Sequence, residues 1–117
     1  MSDALKQHGI VLVNGEINKS RINALSGTIT APFVREVWAV TNHDADTLAR
    51  MQQLMTDFYN TGRNSEFLEV LQLMYAVVGL EVPPEVAALM HHPAASSYFL
   101  FSFLTDLDEA VDEYMSA

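Results

Sequence analysis

Near the C-terminus, the stretch SSYFLFSFLTDLDEAVDEYM separates apolar from acidic side chains with the period of an α-helix. Its first half, SSYFLFSFL, has the composition of a buried strand. The apolar spacing continues without a break into TDLDEAVDEYM, however, so a helix is expected from about residue 94 to residue 115. With Asp106 at zero and ~100° per residue, Leu100, Phe103, Leu104, Leu107, Ala110, Val111, Tyr114 and Met115 fall between roughly 40° and 180°. Asp106, Asp108, Glu109, Asp112 and Glu113 occupy the complementary arc. A helix of this kind buries one face against other helices and leaves the other in water, which points to a helical bundle.

Two features of this helix depart from an ordinary solvated face. Tyr98 and Phe101 project on the acidic side, one to two turns before Asp108 and Asp112. Acids in the last turns also oppose the helix macrodipole, typically by ~0.3–1 kcal/mol each. No lysine or arginine lies within four residues to offset them. A locally unfavourable surface is what selection for a partner leaves behind, although a solvated tail helix tolerates it too.

The rest of the chain reads as further helices with terminal punctuation. IVLVNGEI holds an apolar run, Ile10 to Val13, ending in Asn14-Gly15, the pair suited to a tight hairpin turn. A short N-terminal β-strand or hairpin is expected there, with TIT at 28–30 as an alternative pairing partner. INKSRINALSG suits a short helix capped by Asn18 and ended by Gly27. A second helix is expected to start near Thr30 with Pro32 in its first turn, although Val34, Trp38 and Val40 also alternate as in a strand. NHDADTLARMQQLMTDFYNTG is capped by Asn42 or Asp44 and closed by Gly62, with Leu48, Met51, Leu54, Met55 and Phe58 as its stripe. NSEFLEVLQLMYAVVG starts at Asn64 or Ser65, packs through residues including Phe67, Leu71 and Tyr75, and stops at Gly79. A short helix lies between Pro84 and Pro93. The fold expected is therefore mainly α: a compact bundle of about four to five helices in a single domain, 1–117.

Charge is divided unevenly. All six lysines and arginines lie in residues 1–63, where six acids balance them; residues 64–117 hold nine acids and no Lys or Arg. The net charge of −9 therefore resides in the second half. That half repels phosphate backbones and anionic membranes and attracts a basic surface. No direct nucleic-acid or membrane binding is expected. YFLFSFL is about a third of a membrane span, and the N-terminus has no basic leader with a long apolar core. The chain has no cysteine, which removes disulfides and thiolate metal sites and fits a reducing compartment such as the cytoplasm.

Catalytic and metal motifs are weak. DLDEAVDE resembles a calcium loop, but Asp106 in the first position puts Ala110 fifth and Val111 where a glycine must turn the chain. His91 and His92 are adjacent, so a helix points them ~100° apart, and His92 before Pro93 suits a helix C-terminal turn. No nucleophile elbow or phosphate-cradling glycine loop is present. Met51, Met55, Met74 and Met90 fit core positions better than a peptide groove. Neither cofactor nor metal is expected.

Two functions fit these readings. The first is a non-enzymatic interaction module, an assembly chaperone, inhibitor or oligomer subunit. It would use Tyr98 and Phe101 as anchors and Asp106, Asp108, Glu109, Asp112 and Glu113 to steer a basic partner. Self-association through YFLFSF would account for the same aromatics. The second is a small enzyme or ligand-binding domain with a pocket among Trp38, His43, Tyr59 and Tyr75.

Overall fold

A computed structural model describes residues 3–116, without the side chains of residues 3, 4, 64 and 65. Six helices follow one another: α1 (Asp3–Gln7), α2 (Lys19–Val40), α3 (Ala45–Asn60), α4 (Asn64–Val77), α5 (Pro84–Leu89) and α6 (Pro93–Met115). The mainly helical expectation holds. The N-terminal strand does not form: among the described residues, Val11 and Ile17 make a single antiparallel bridge and nothing more. The Asn14-Gly15 turn is present, with Gly15 at φ +88°. Its second arm is short because Asn18 already caps α2, accepting from the Arg21 amide at 3.3 Å. On the first arm, the Ile10 amide bonds back to the Leu5 carbonyl of α1. The other proposed strand, at 28–30, lies inside α2.

The break expected between Gly27 and Pro32 is also absent; α2 runs through both residues. Glycine and proline inside a helix are unfavourable by about 1 and 3 kcal/mol respectively. Ile22, Leu25, Ile29, Phe33, Val34 and Val37 are all buried and form one stripe that crosses the weak points. Tertiary burial of that stripe outweighs local propensity. Gly27 sits on the exposed side, where an added Cβ would meet nothing within 4 Å.

Other helix ends follow their punctuation. Asp44 caps α3 by accepting from the Asp46 and Thr47 amides, and Gly62 and Gly79 turn the chain with positive φ after α3 and α4. Between α2 and α3, Asn42 and His43 both adopt left-handed φ, 57° and 67°. Arg63 occupies the cap position of α4 without a side-chain bond, and the Asn64 and Ser65 side chains, expected as caps, lie outside the described residues. His92 has the opposite role from the one expected. Its Nδ1 accepts from the Ala95 amide at 3.2 Å and so caps the start of α6, a role open only to the unprotonated nitrogen.

α6 is the centre of the bundle, packed along α2 on one flank and α3 on the other. Phe99, Leu100, Phe103, Leu107 and Val111 are buried on its inner face. Phe103 meets Phe67 of α4 edge-on at 6.0 Å, and Phe33 of α2 stacks on Tyr75 of α4 at 4.4 Å. The Tyr75 hydroxyl donates to the Ile29 carbonyl at 3.1 Å, joining α4 to α2 inside the core. Arg21 fastens the N-terminal segment: its Nε donates to the His8 carbonyl at 3.0 Å and its guanidinium lies 3.9 Å from Glu85 of α5. Met51 and Met55 are buried, and Met74 and Met90 pack at the core's edge.

Candidate interaction face on the C-terminal helix

Residues 98–113 are helical throughout, so the expected arcs are realised, but the five acids do not share one environment. Asp106 lies at the α2 flank, half-buried, and its carboxylate accepts from Ser26 Oγ at 2.6 Å. One turn earlier on the same flank, Ser102 Oγ is 2.9 Å from the Asn23 side-chain oxygen. Asp108 lies at the α3 flank, where it accepts from the Gln52 side-chain amide. Glu109, Asp112 and Glu113 are exposed, and their carboxylates make no hydrogen bond or ion pair among the described residues. Two acids thus orient α6 between its neighbours, and three remain free.

The aromatic pair divides in the same way. Tyr98 is half-buried, with the Lys19 ammonium 5.6 Å from its ring centroid. Phe101 is 59% exposed, so its ring stands in water. An exposed phenylalanine thus stands about two turns before a run of free carboxylates.

Between α2 and α6 the surface falls into a cleft of about 200 Å³, lined by Gly27 and Ala31 on one side and Asp106, Glu109 and Glu113 on the other. The small residues of α2 leave it open, and three carboxylates give it a negative rim. Among the described residues, no cation is paired with an acid of α6. Arg21 and Arg63 reach Glu85 and Glu66, and Arg35 reaches Glu36. Among the described residues, no group of three or more His, Asp or Glu side chains could hold a metal ion. None of the helices there is long and apolar enough to cross a membrane.

Of the four residues of the alternative pocket, Trp38 and His43 touch each other, while Tyr59 and Tyr75 have separate surroundings. Tyr75 is buried on Phe33, and burial pushes its hydroxyl well above the ordinary tyrosine range. Trp38 stacks on His43 at 5.2 Å and meets Tyr114 of α6 at 5.0 Å, while Tyr59 lies half-buried near the end of α3. Neither the α2–α6 cleft nor the groove between α2, α3 and α4 is lined by any of the four.

Sequence reasoning missed Ser26, Gln52 and Lys19, the partners that divide the face. Ser26 had a visible signal: it is a polar residue within the Ile22–Leu25–Ile29 stripe, where only a hydrogen-bonded hydroxyl is tolerated. Fold and face together define a class: a small all-helical protein whose longest helix carries an acidic outer surface and one exposed aromatic ring. No protein-family model matches the chain, and neither a curated protein nor a solved structure matches it.

Proposed function

We infer that the protein is a non-enzymatic interaction module that docks a basic protein surface onto the outer face of α6. What carries this reading is the presence of Glu109, Asp112 and Glu113, free of any internal partner, on the same helix as the exposed ring of Phe101. Phe101 is the anchor; an aromatic side chain seated in a partner's pocket can contribute over ~2 kcal/mol. The free carboxylates act at longer range, raising the association rate and selecting for positive charge. The α2–α6 cleft gives one lysine or arginine of the partner a place to enter between Asp106, Glu109 and Glu113. Asp106 and Asp108 keep their bonds to α2 and α3 and hold the face in position, and Tyr98 borders it under Lys19. Chaperone, inhibitor and oligomer-subunit roles all use such a face. Cytoplasmic residence, proposed from the absence of cysteine, is compatible with each of them.

The test is affinity capture from a host lysate at low and high salt, with the captured proteins identified. The Debye length falls from about 10 Å at 0.1 M salt to about 3 Å at 1 M. A basic protein retained at the lower value and lost at the higher is expected. Phe101→Ala combined with Glu109→Lys and Asp112→Lys should abolish its capture without unfolding the chain, since all three positions face water. Capture unaffected by the triple change would remove this face from consideration.

A further inference from the structure

The turn before α2 carries a chemistry that the α6 face does not use. Asn14 is the one asparagine of the chain followed by glycine; Asn18, Asn23, Asn42, Asn60 and Asn64 precede Lys, Ala, His, Thr and Ser. An asparagine side chain ends in an amide within reach of the next residue's backbone nitrogen. The ring that joins the two closes most readily where that next residue has no Cβ. Gly15 leaves the approach open: its φ is +88°, and an added Cβ there would meet nothing within 4 Å.

The fold presents this pair to water. Asn14 and Gly15 are exposed, and Val13 beside them is 95% exposed. Asn14 Oδ1 accepts from the Glu16 amide at 3.0 Å. That bond folds the side chain back over the Gly15 peptide and polarises Cγ, the atom to be attacked. One restraint opposes attack: the Gly15 amide donates to the Leu12 carbonyl at 2.9 Å. It lies at an exposed tip, where local opening is easiest. Elsewhere the nitrogens that would attack are held by helices. The Ala24 nitrogen lies inside α2, and those of His43 and Thr61 are bonded to the Trp38 and Asp57 carbonyls at 2.9 and 3.0 Å.

We propose that Asn14 is a site of spontaneous deamidation, and that its isoaspartyl product opens the N-terminal turn. The Gly15 nitrogen gives its proton to hydroxide and bonds to Asn14 Cγ. The Cγ–Nδ2 bond breaks, the departing nitrogen takes a proton from water and leaves as ammonia, and a succinimide remains. Water then opens the ring. Attack at Cγ gives aspartate. Attack at the former Asn14 backbone carbonyl routes the main chain through Cβ and Cγ and gives isoaspartate.

The two products act differently on the turn. Aspartate keeps an oxygen for the Glu16 amide and adds one negative charge. Isoaspartate inserts a methylene into a main chain whose ends are fixed. The Leu12 amide bonds to the Glu16 carbonyl and the Asn18 amide to the Ile10 carbonyl, both at 2.7 Å, and Ile10 and Val11 are buried. The bonds across the turn cannot all survive the added length. None of this involves Phe101 or any carboxylate of α6, so it is independent of the basic-partner reading.

The experiment ages the full chain at mildly alkaline pH, folded and in guanidinium chloride. Mass spectrometry with fragmentation that separates aspartate from isoaspartate follows each asparagine. In the folded chain Asn14 should convert at least about tenfold faster than any other asparagine, and faster still as pH rises. Guanidinium should accelerate the others far more than Asn14. Aged protein bearing isoaspartate should show faster amide exchange and protease cleavage within residues 10–18. Asn14→Asp, which carries the charge without the methylene, should match fresh wild type, and Asn14→Gln, which would need a larger ring, should resist ageing. Another asparagine converting first in the folded chain would overturn the proposal, as would an Asn14 that converts only in guanidinium. So would an isoaspartyl form whose turn exchanges no faster than the fresh protein's, or an Asn14→Asp turn as open as the aged one.

Discussion

α4 and α6 both bury aromatic residues on one face, yet their outer faces differ completely. Outside, α6 presents Glu109, Asp112 and Glu113, with Phe101 as the one exposed ring upstream of them. α4 presents Leu73 and Val77, and beyond Glu69 its exposed side is uncharged. In α6 the residue types themselves say which side faces water. In α4 apolar residues run around the helix, so only the position of neighbouring helices decides what is buried. A free apolar face is therefore visible in the structure and hidden in the sequence, whereas a free acidic face is visible in both.

The largest test of this difference is truncation. Phe103 is fully buried where α6 meets Phe67 of α4 and Phe99 of its own helix. Phe103→Ala should destabilise the fold by about 3–5 kcal/mol, the usual range for emptying an aromatic site. Leu73→Ala, on the exposed side of α4, should change stability by no more than about 0.5 kcal/mol. Chemical denaturation of both variants gives the comparison directly. Equal losses would mean that the outer side of α4 is covered within the monomer, and the contrast drawn above would fail.

Tyr75 gives a smaller and pH-dependent test. Its hydroxyl holds α4 to the Ile29 carbonyl, and Tyr75→Phe should cost about 1 kcal/mol at neutral pH. The hydroxyl's pKa is raised above the ordinary value of 10.0 because burial disfavours the phenolate. The unfolded chain thus ionises first. The contribution of the buried neutral hydroxyl is complete below pH 10.0 and declines as pH rises above it. Wild-type stability should therefore fall in alkali more steeply than that of Tyr75→Phe. Parallel curves for the two proteins would show that Tyr75 is accessible to hydroxide.

The same contrast explains what was legible in the sequence. The helical spacing of α3, α4 and α6, the Asp44 cap and the Gly62 and Gly79 stops rest on local chemistry, and local chemistry is written residue by residue. The continuity of α2 was not legible. Gly27 and Pro32 are true breakers, and they are overruled by a stripe whose burial depends on α6, some seventy positions away. The N-terminal strand failed for a related reason: Asn14-Gly15 makes its turn, but Asn18 starts a helix before a second arm can extend. Within the candidate site, all seven residues lie on α6 as expected, and Phe101 is exposed. The fastening of Asp106 by Ser26, of Asp108 by Gln52 and of Tyr98 by Lys19 depended on which helices flank α6, and periodicity carries no information about neighbours.

The smallest expected effect has an unusual sign. Asp112 and Glu113 lie in the last turn of α6, where the helix end is already negative, and among the described residues no cation answers them. Asp112→Asn and Glu113→Gln should each stabilise the fold by about 0.3–1 kcal/mol at low ionic strength, with the gain shrinking as salt is added. On α4, Val77→Lys would place a cation at the negative end of the helix and should bring a gain of similar size, also lost as salt is added. If the α6 acids serve a partner, the two stabilising changes should also weaken capture of that partner at low salt. Stability gained together with binding lost is the signature of a surface held in an unfavourable state by function. Thermal unfolding and low-salt capture measured on the same double variant read both quantities. A gain in stability with undiminished capture would show that these carboxylates serve only solvation, and would return α6 to the same standing as any solvated helix.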